Sequence, residues 1–110
     1  MSKSWLRGHD QKRAKREQQV RQDAREKFGV RLSVEDVRRL AHEIMAGEHG
    51  PPTSEHHRQQ LVRCYRVELP GAAEMAYARL LVESEEIAGL LTREEWLALL
   101  ARRAEGQGRR

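Results

Sequence analysis

Residues 28–47, FGVRLSVEDVRRLAHEIMAG, contain the most complete helix signal in the chain. Ser33 can cap a helix, and Asp36, three positions later, can complete a capping box. Leu32, just before the cap, can pack as a hydrophobic staple against the helix. Apolar residues then recur at helical spacing on one face: Val34, Val37, Leu40, Ala41, Ile44 and Met45. The stretch therefore predicts an amphipathic helix that starts after Ser33 and stops at Gly47.

The same start signal returns in residues 91–96, LTREEW, where Thr92 can cap and Glu95 can close the box. This pattern predicts a C-terminal helix over residues 93–104. Its expected inward residues are Trp96, Leu97, Leu100 and Ala101.

Residues 8–28 are rich in helix formers and contain no proline, which predicts an N-terminal helix ended by Gly29. Its apolar face consists only of Val20, Ala24 and Phe28. We therefore expect only its C-terminal half to pack on a core.

Residues 61–69 alternate in side-chain character and end at Pro70-Gly71, which is typical of a strand entering a turn. Local propensity in residues 72–91 favours a helix. A lone strand, however, leaves its backbone groups unpaired, so we prefer strands over 74–82 and 87–91. The predicted fold is α+β, with two N-terminal helices, a three-stranded antiparallel meander and a C-terminal helix; a mostly α fold is the alternative.

The 110 residues suffice for one small domain. We divide the chain into a basic helical extension (1–27), a single α+β domain (28–104) and a basic tail (105–110). The single cysteine, Cys64, and the lack of a long apolar run predict a cytoplasmic protein without a membrane span. The oligomeric state stays open.

Positive charge is concentrated at the two ends of the chain. Residues 1–31 hold ten Lys/Arg and four Asp/Glu, residues 32–101 hold seven and twelve, and residues 102–110 hold four and one. Basic ends of this kind favour contact with a polyanion or with an acidic protein. The candidate binding residues are Lys12, Arg13, Lys15, Arg16, Arg21, Arg25, Lys27, Arg109 and Arg110.

A second candidate site begins in the loop before the predicted strand. His56, His57 and Arg58 could act with Arg63, Tyr65 or Tyr77 as a metal-independent ribonuclease site, because RNA cleavage needs a base, an acid and a cation. A polar loop also collects such residues without function.

Two other groups of polar residues carry less specific signals. Glu83, Glu85 and Glu86 form an acidic cluster that could face a basic partner, although a turn is commonly acidic. The histidines do not form a zinc motif, since Gly47 separates His42 from His49, so we expect no metal and no cofactor.

The elements FGV, LSVEDVRRLAHEIMAG, HHR, VRCYRVELPG, MAY and IAGLLT, over about residues 22–92, resemble small phage and mobile-element proteins related to the RelE and colicin-type ribonuclease fold. In that family a Thr in the last strand commonly assists RNA cleavage. Gly89 occupies the matching position here, so the resemblance implies a binding relative at least as readily as a nuclease.

The leading interpretation is a small non-enzymatic binding protein, such as a phage-type accessory protein or inhibitor. It would engage nucleic acid, or a nucleoprotein complex, through the basic helix, in the host cytoplasm if it is phage-encoded. An endoribonuclease or toxin and a structural assembly subunit are the alternatives.

Overall fold

A computed structural model describes residues 4–55 and 62–107, with the side chains of residues 11–53 and 62–102. The elements follow the order α1 (Ser4–Phe28), α2 (Val34–Met45), β1 (Ser54–Glu55), β2 (Val62–Val67), β3 (Ala76–Leu81), β4 (Glu86–Leu91) and α3 (Arg93–Gln107). The strands form one antiparallel sheet in the order β1-β2-β3-β4. The predicted α+β fold with a three-stranded meander is therefore confirmed, and the two-residue β1 extends that meander at one edge.

The helix ends are set by local chemistry, as the sequence predicts. The Asp36 backbone N–H donates to Ser33 Oγ at 3.0 Å, and the Ser33 N–H donates to Asp36 Oδ2 at 2.9 Å. Thr92 and Glu95 make the same reciprocal pair at the start of α3. Gly29 ends α1 with a φ of 67°, and its N–H donates to the Arg25 carbonyl, which is the usual left-handed helix stop.

Strand β4 contains a bulge that brings two apolar residues to the same face. Arg79 of β3 pairs with Gly89, but the next residue, Leu80, pairs with Ile87, so Ala88 is the extra residue. The shift allows Ile87 and Leu90 to lie together in the buried core, although they are three positions apart. Simple alternation would have placed them on opposite faces.

The main core lies between one face of the sheet and the first two helices. Residues of every element from α1 to β4 except β1 contribute to it: Val20, Ala24, Val30, Leu32, Val37, Leu40, Ala41, Ile44, Tyr65, Val67, Leu69, Ala76, Ala78, Leu80, Ile87 and Leu90. Val20 and Ala24 are fully buried there, so the second half of α1 packs on this core, as the sequence predicts.

Three residues expected on the inward faces of α2 and α3 are exposed instead. Met45 is 45% exposed, because it lies about 80° around α2 from Val37, at the margin of the apolar stripe. In α3, Leu97 is 44% exposed and Ala101 is exposed, while Trp96 and Leu100 are half-buried. The reason is that α3 meets β3 and β4 only over a small area, on the face of the sheet opposite the main core.

Helix α1 covers the outer edge of β4, which is the last strand of the sheet. The buried Asp23 accepts the Leu90 N–H at 2.9 Å, and Lys27 Nζ donates to the Leu90 carbonyl at 2.9 Å. A Cβ on Gly89 would lie 3.1 Å from Asp23 Oδ2, so glycine permits this close approach. The two side chains thereby satisfy backbone groups at an edge that could otherwise pair with another chain.

Candidate anion-binding cleft

Several cations of α1 are engaged within the protein. Arg16 Nη1 contacts Glu86 Oε1 at 2.6 Å, and Arg13 Nε lies 3.8 Å from Glu86 Oε2. Glu17 accepts from Arg38 Nε at 2.7 Å, and this hydrogen bond raises the pKa of the Arg38 guanidinium. These pairs join α1 to β4 and to α2, so part of the predicted phosphate-binding charge is already neutralised by carboxylates.

Lys27 is engaged in the same way. Besides the Leu90 carbonyl, its ammonium lies 3.1 Å from Glu95 Oε1 and 3.8 Å from Asp23 Oδ1. Hydrogen bonds to Glu95, first from the Thr92 backbone N–H and then from Lys27, lower the pKa of its carboxyl. Lys27 therefore connects α1, β4 and α3, which is a structural role.

The remaining cations of α1 have a different environment. Within the described part of the chain, the exposed side chains of Lys12, Lys15 and Arg25 make no hydrogen bond or ion pair. Arg21 donates its Nε to the Leu32 carbonyl at 2.8 Å, which fixes the guanidinium but leaves its charge unneutralised. Among the described side chains of α1, these four carry positive charge that a ligand could meet.

Arg21 and Arg25 line a cleft where α1 meets the turn leading into α2. The cleft has a volume of about 570 Å³, and its other lining residues are Gln18, Gln22, Arg31 and Leu32. None of these lining residues is a carboxylate. Three guanidinium groups and two amides form a concentrated set of donors, which is suited to binding an anion such as phosphate.

Arg31 belongs to the cleft but was not among the candidate residues predicted from the sequence. It lies in the FGVRLS turn, ten positions from Arg21, and comes close because Gly29 reverses the chain at the end of α1. Its position two residues after a predicted helix stop is the one sequence signal that could have pointed to it.

A stripe of polar residues continues from the cleft along α1. Lys15, Gln18, Gln22 and Arg25 recur at intervals of three and four on the side of the helix opposite Val20. Lys15 and Arg25 are about 15 Å apart along the axis at ~1.5 Å per residue. Glu26 adjoins the stripe, and Gln22 Nε2 donates to its carboxylate at 3.2 Å.

The residues of the alternative ribonuclease site are not brought together where the structure describes them. Tyr65 lies in the main core, whereas Tyr77 stacks on Trp96 of α3, on the other face of the sheet. Arg63 is exposed on β2. His56, His57 and Arg58, like the tail residues Arg109 and Arg110, lie outside the described residues.

The three predicted acidic residues also separate in role. Glu86 is engaged by Arg13 and Arg16, as described above, so it is not available in the same way as its neighbours. Glu83 and Glu85 are exposed in the β3–β4 turn and line a groove with Arg13, Arg38 and Met45. The groove is therefore lined by both negative and positive side chains, the positive ones being arginines of α1 and α2.

The described residues contain no group of three His, Cys, Asp or Glu residues arranged to hold a metal ion. No helix among them has the length and apolar content needed to cross a bilayer.

No protein-family model, curated protein or solved structure matches the chain. The similarity to the RelE and colicin-type ribonuclease fold therefore stays a prediction from sequence.

Proposed function

We propose that the protein binds the phosphate backbone of nucleic acid through the exposed face of α1, with the arginine cleft as the anchor. The observation that carries this proposal is the composition of the cleft: Arg21, Arg25 and Arg31 line it without a carboxylate. Arginine is suited to phosphate because its planar donors match two phosphate oxygens at once.

The dimensions of the surface favour a polymer over a single anion. The stripe from Lys15 to Arg25 spans about 15 Å, which corresponds to about four phosphates at ~3.4 Å of axial rise per phosphate on one DNA strand. Lys12 adds a further ammonium that is unpaired among the described residues, next to the first described side chain of α1. Such contacts fix position and affinity but carry no base preference.

The test is binding of the purified protein to short DNA and RNA strands and duplexes across a salt series, by fluorescence anisotropy. Each phosphate neutralised contributes a slope of about −0.9 to log K against log salt on B-DNA and about −0.7 on single strands. The five cations Lys12, Lys15, Arg21, Arg25 and Arg31 therefore predict a slope near −4.5 with duplex or −3.5 with single strands.

The RNA is analysed for cleavage in the same samples. Intact RNA with a slope of this size supports a binding protein. Cleaved RNA would favour the ribonuclease alternative, and the absence of binding at low salt would refute the proposal and direct attention to an acidic protein partner.

A further inference from the structure

A second cavity lies on the face of the sheet that α3 covers, away from the arginine cleft. Its volume is about 950 Å³, and it is lined by residues of β2, β3 and the first turns of α3, with Thr53 at one side. One wall is aromatic: the rings of Tyr77 and Trp96 are parallel within 6°, with centroids 4.5 Å apart. Tyr77 is only 5% exposed, so the half-buried indole of Trp96 is the ring that borders the cavity more openly.

The apolar part of the lining continues beyond the rings. Leu97, which is 44% exposed, lies at the cavity, as does Met75. A flat aromatic wall with adjoining aliphatic side chains suits a planar ring system, because stacking and apolar burial then act on the same group.

Two arginines complete the site. Arg66 of β2 and Arg93 of α3 are exposed at the cavity, and neither makes an ion pair within the described residues, although Glu74 and Glu94 also line it. Unpaired guanidinium groups beside an aromatic wall offer phosphate binding next to ring stacking. The carboxylates can accept hydrogen bonds from ring N–H groups.

We propose that this cavity binds one nucleotide, with the base against the Trp96 indole and the phosphate held by Arg66 and Arg93. The ligand could be a free mononucleotide or one unit of a single strand, since both present the same chemistry. This site goes beyond the proposed function and does not depend on it, because it shares no residue with the arginine cleft.

The experiment uses the full chain with Trp5→Phe, so that Trp96 is the only tryptophan. Its fluorescence is titrated with adenosine monophosphate, adenosine, ribose 5-phosphate and a short adenine oligonucleotide. We expect saturable quenching by the monophosphate, binding about tenfold weaker for adenosine, and no quenching by ribose 5-phosphate, since charged hydrogen bonds and stacking are each lost in one control.

Arg66→Gln and Arg93→Gln should each lower the affinity for adenosine monophosphate by about fivefold or more. Arg102→Gln, an exposed change on the same helix outside this cavity, should leave the affinity unchanged. If the oligonucleotide binds more tightly than the monophosphate, the ligand is a single strand; if the two affinities are equal, the ligand is a free nucleotide. Both results support the site. Absence of saturable quenching at about 10 mM monophosphate, or an unchanged affinity in the Arg66→Gln, Arg93→Gln double variant, would overturn it.

The two proposals fail separately. An Arg25→Gln, Arg31→Gln variant should keep the quenching by adenosine monophosphate even where it loses binding to duplexes. Loss of quenching in that variant would contradict the separation of the two sites.

Discussion

Replacement of Asp23 by alanine should destabilise the protein strongly, because Asp23 covers the edge of β4. Asp23 is only 6% exposed. Its carboxylate accepts hydrogen bonds from the Leu90 backbone N–H and from the Gln19 side-chain amide, both at 2.9 Å. In the alanine variant the Leu90 N–H is left buried without its acceptor, which costs about 1–3 kcal/mol. Lys27 also loses its contact with Asp23, but it retains the Glu95 carboxylate at 3.1 Å and the Leu90 carbonyl, so this loss costs less stability.

We therefore expect Asp23→Ala to lower the free energy of unfolding by about 2–3 kcal/mol, and the Tm by on the order of 10 °C. Urea denaturation followed by circular dichroism measures the free energy, and hydrogen exchange of the Leu90 amide locates the change. Asp23→Asn, which keeps an acceptor oxygen, should lose less. A loss below about 0.5 kcal/mol for Asp23→Ala would show that the Asp23 carboxylate does not stabilise the edge of β4.

Three further predictions concern the fold. Gly89→Ala places a Cβ 3.1 Å from a carboxylate oxygen that is held by a backbone hydrogen bond, so thermal unfolding should show a loss of about 1–2 kcal/mol; an unchanged Tm would contradict the close approach. Leu80→Ala, in the main core, should cost about 2–5 kcal/mol in urea, whereas the exposed Leu97→Ala should cost under about 0.5; equal costs would contradict the described packing. Backbone N–H groups of the N-cap residues lower the pKa of Asp36 and Glu95 below their usual 3.8 and 4.5. The two carboxylates therefore contribute fully to stability above those usual pKa values, and the contribution is lost as the pH falls through the lowered ones. In the Asp36→Asn, Glu95→Gln double variant, the free energy of unfolding should fall less steeply below about pH 4 in an acid titration. The same loss of stability at acid pH in the variant and the unsubstituted protein would count against the capping boxes.

The helix boundaries could be predicted because their causes are local. Ser33 with Asp36, and Thr92 with Glu95, are three residues apart, so sequence alone contains both partners of each capping box. The sheet could be predicted for a different reason: a strand over 61–69 needs partners, and that requirement outweighs the helix propensity of residues 72–91. The bulge at Ala88 could not, because it depends on a pairing register that only the assembled sheet defines.

Which basic side chains of α1 are available to a ligand is harder to predict from the sequence than the fold is. Arg16 is neutralised by Glu86, 70 positions away, and Lys27 binds the Leu90 carbonyl, 63 positions away. A count of basic residues in α1 cannot separate these from Lys12, Lys15 and Arg25. Arg31 was missed because its proximity to Arg21 depends on the reversal at Gly29.

If the arginine cleft, rather than positive charge in general, binds phosphate, two double variants with the same loss of charge should differ in the salt dependence of nucleic-acid binding. One is Arg25→Gln with Arg31→Gln, in the cleft; the other is Arg39→Gln with Arg102→Gln, on exposed surfaces outside it. We predict that the slope of log K against log salt becomes shallower only for the cleft variant, by about 1.8 with duplex DNA or 1.4 with single strands. An equal change in slope for both variants, with both still folded, would show that the cleft has no special part in phosphate binding.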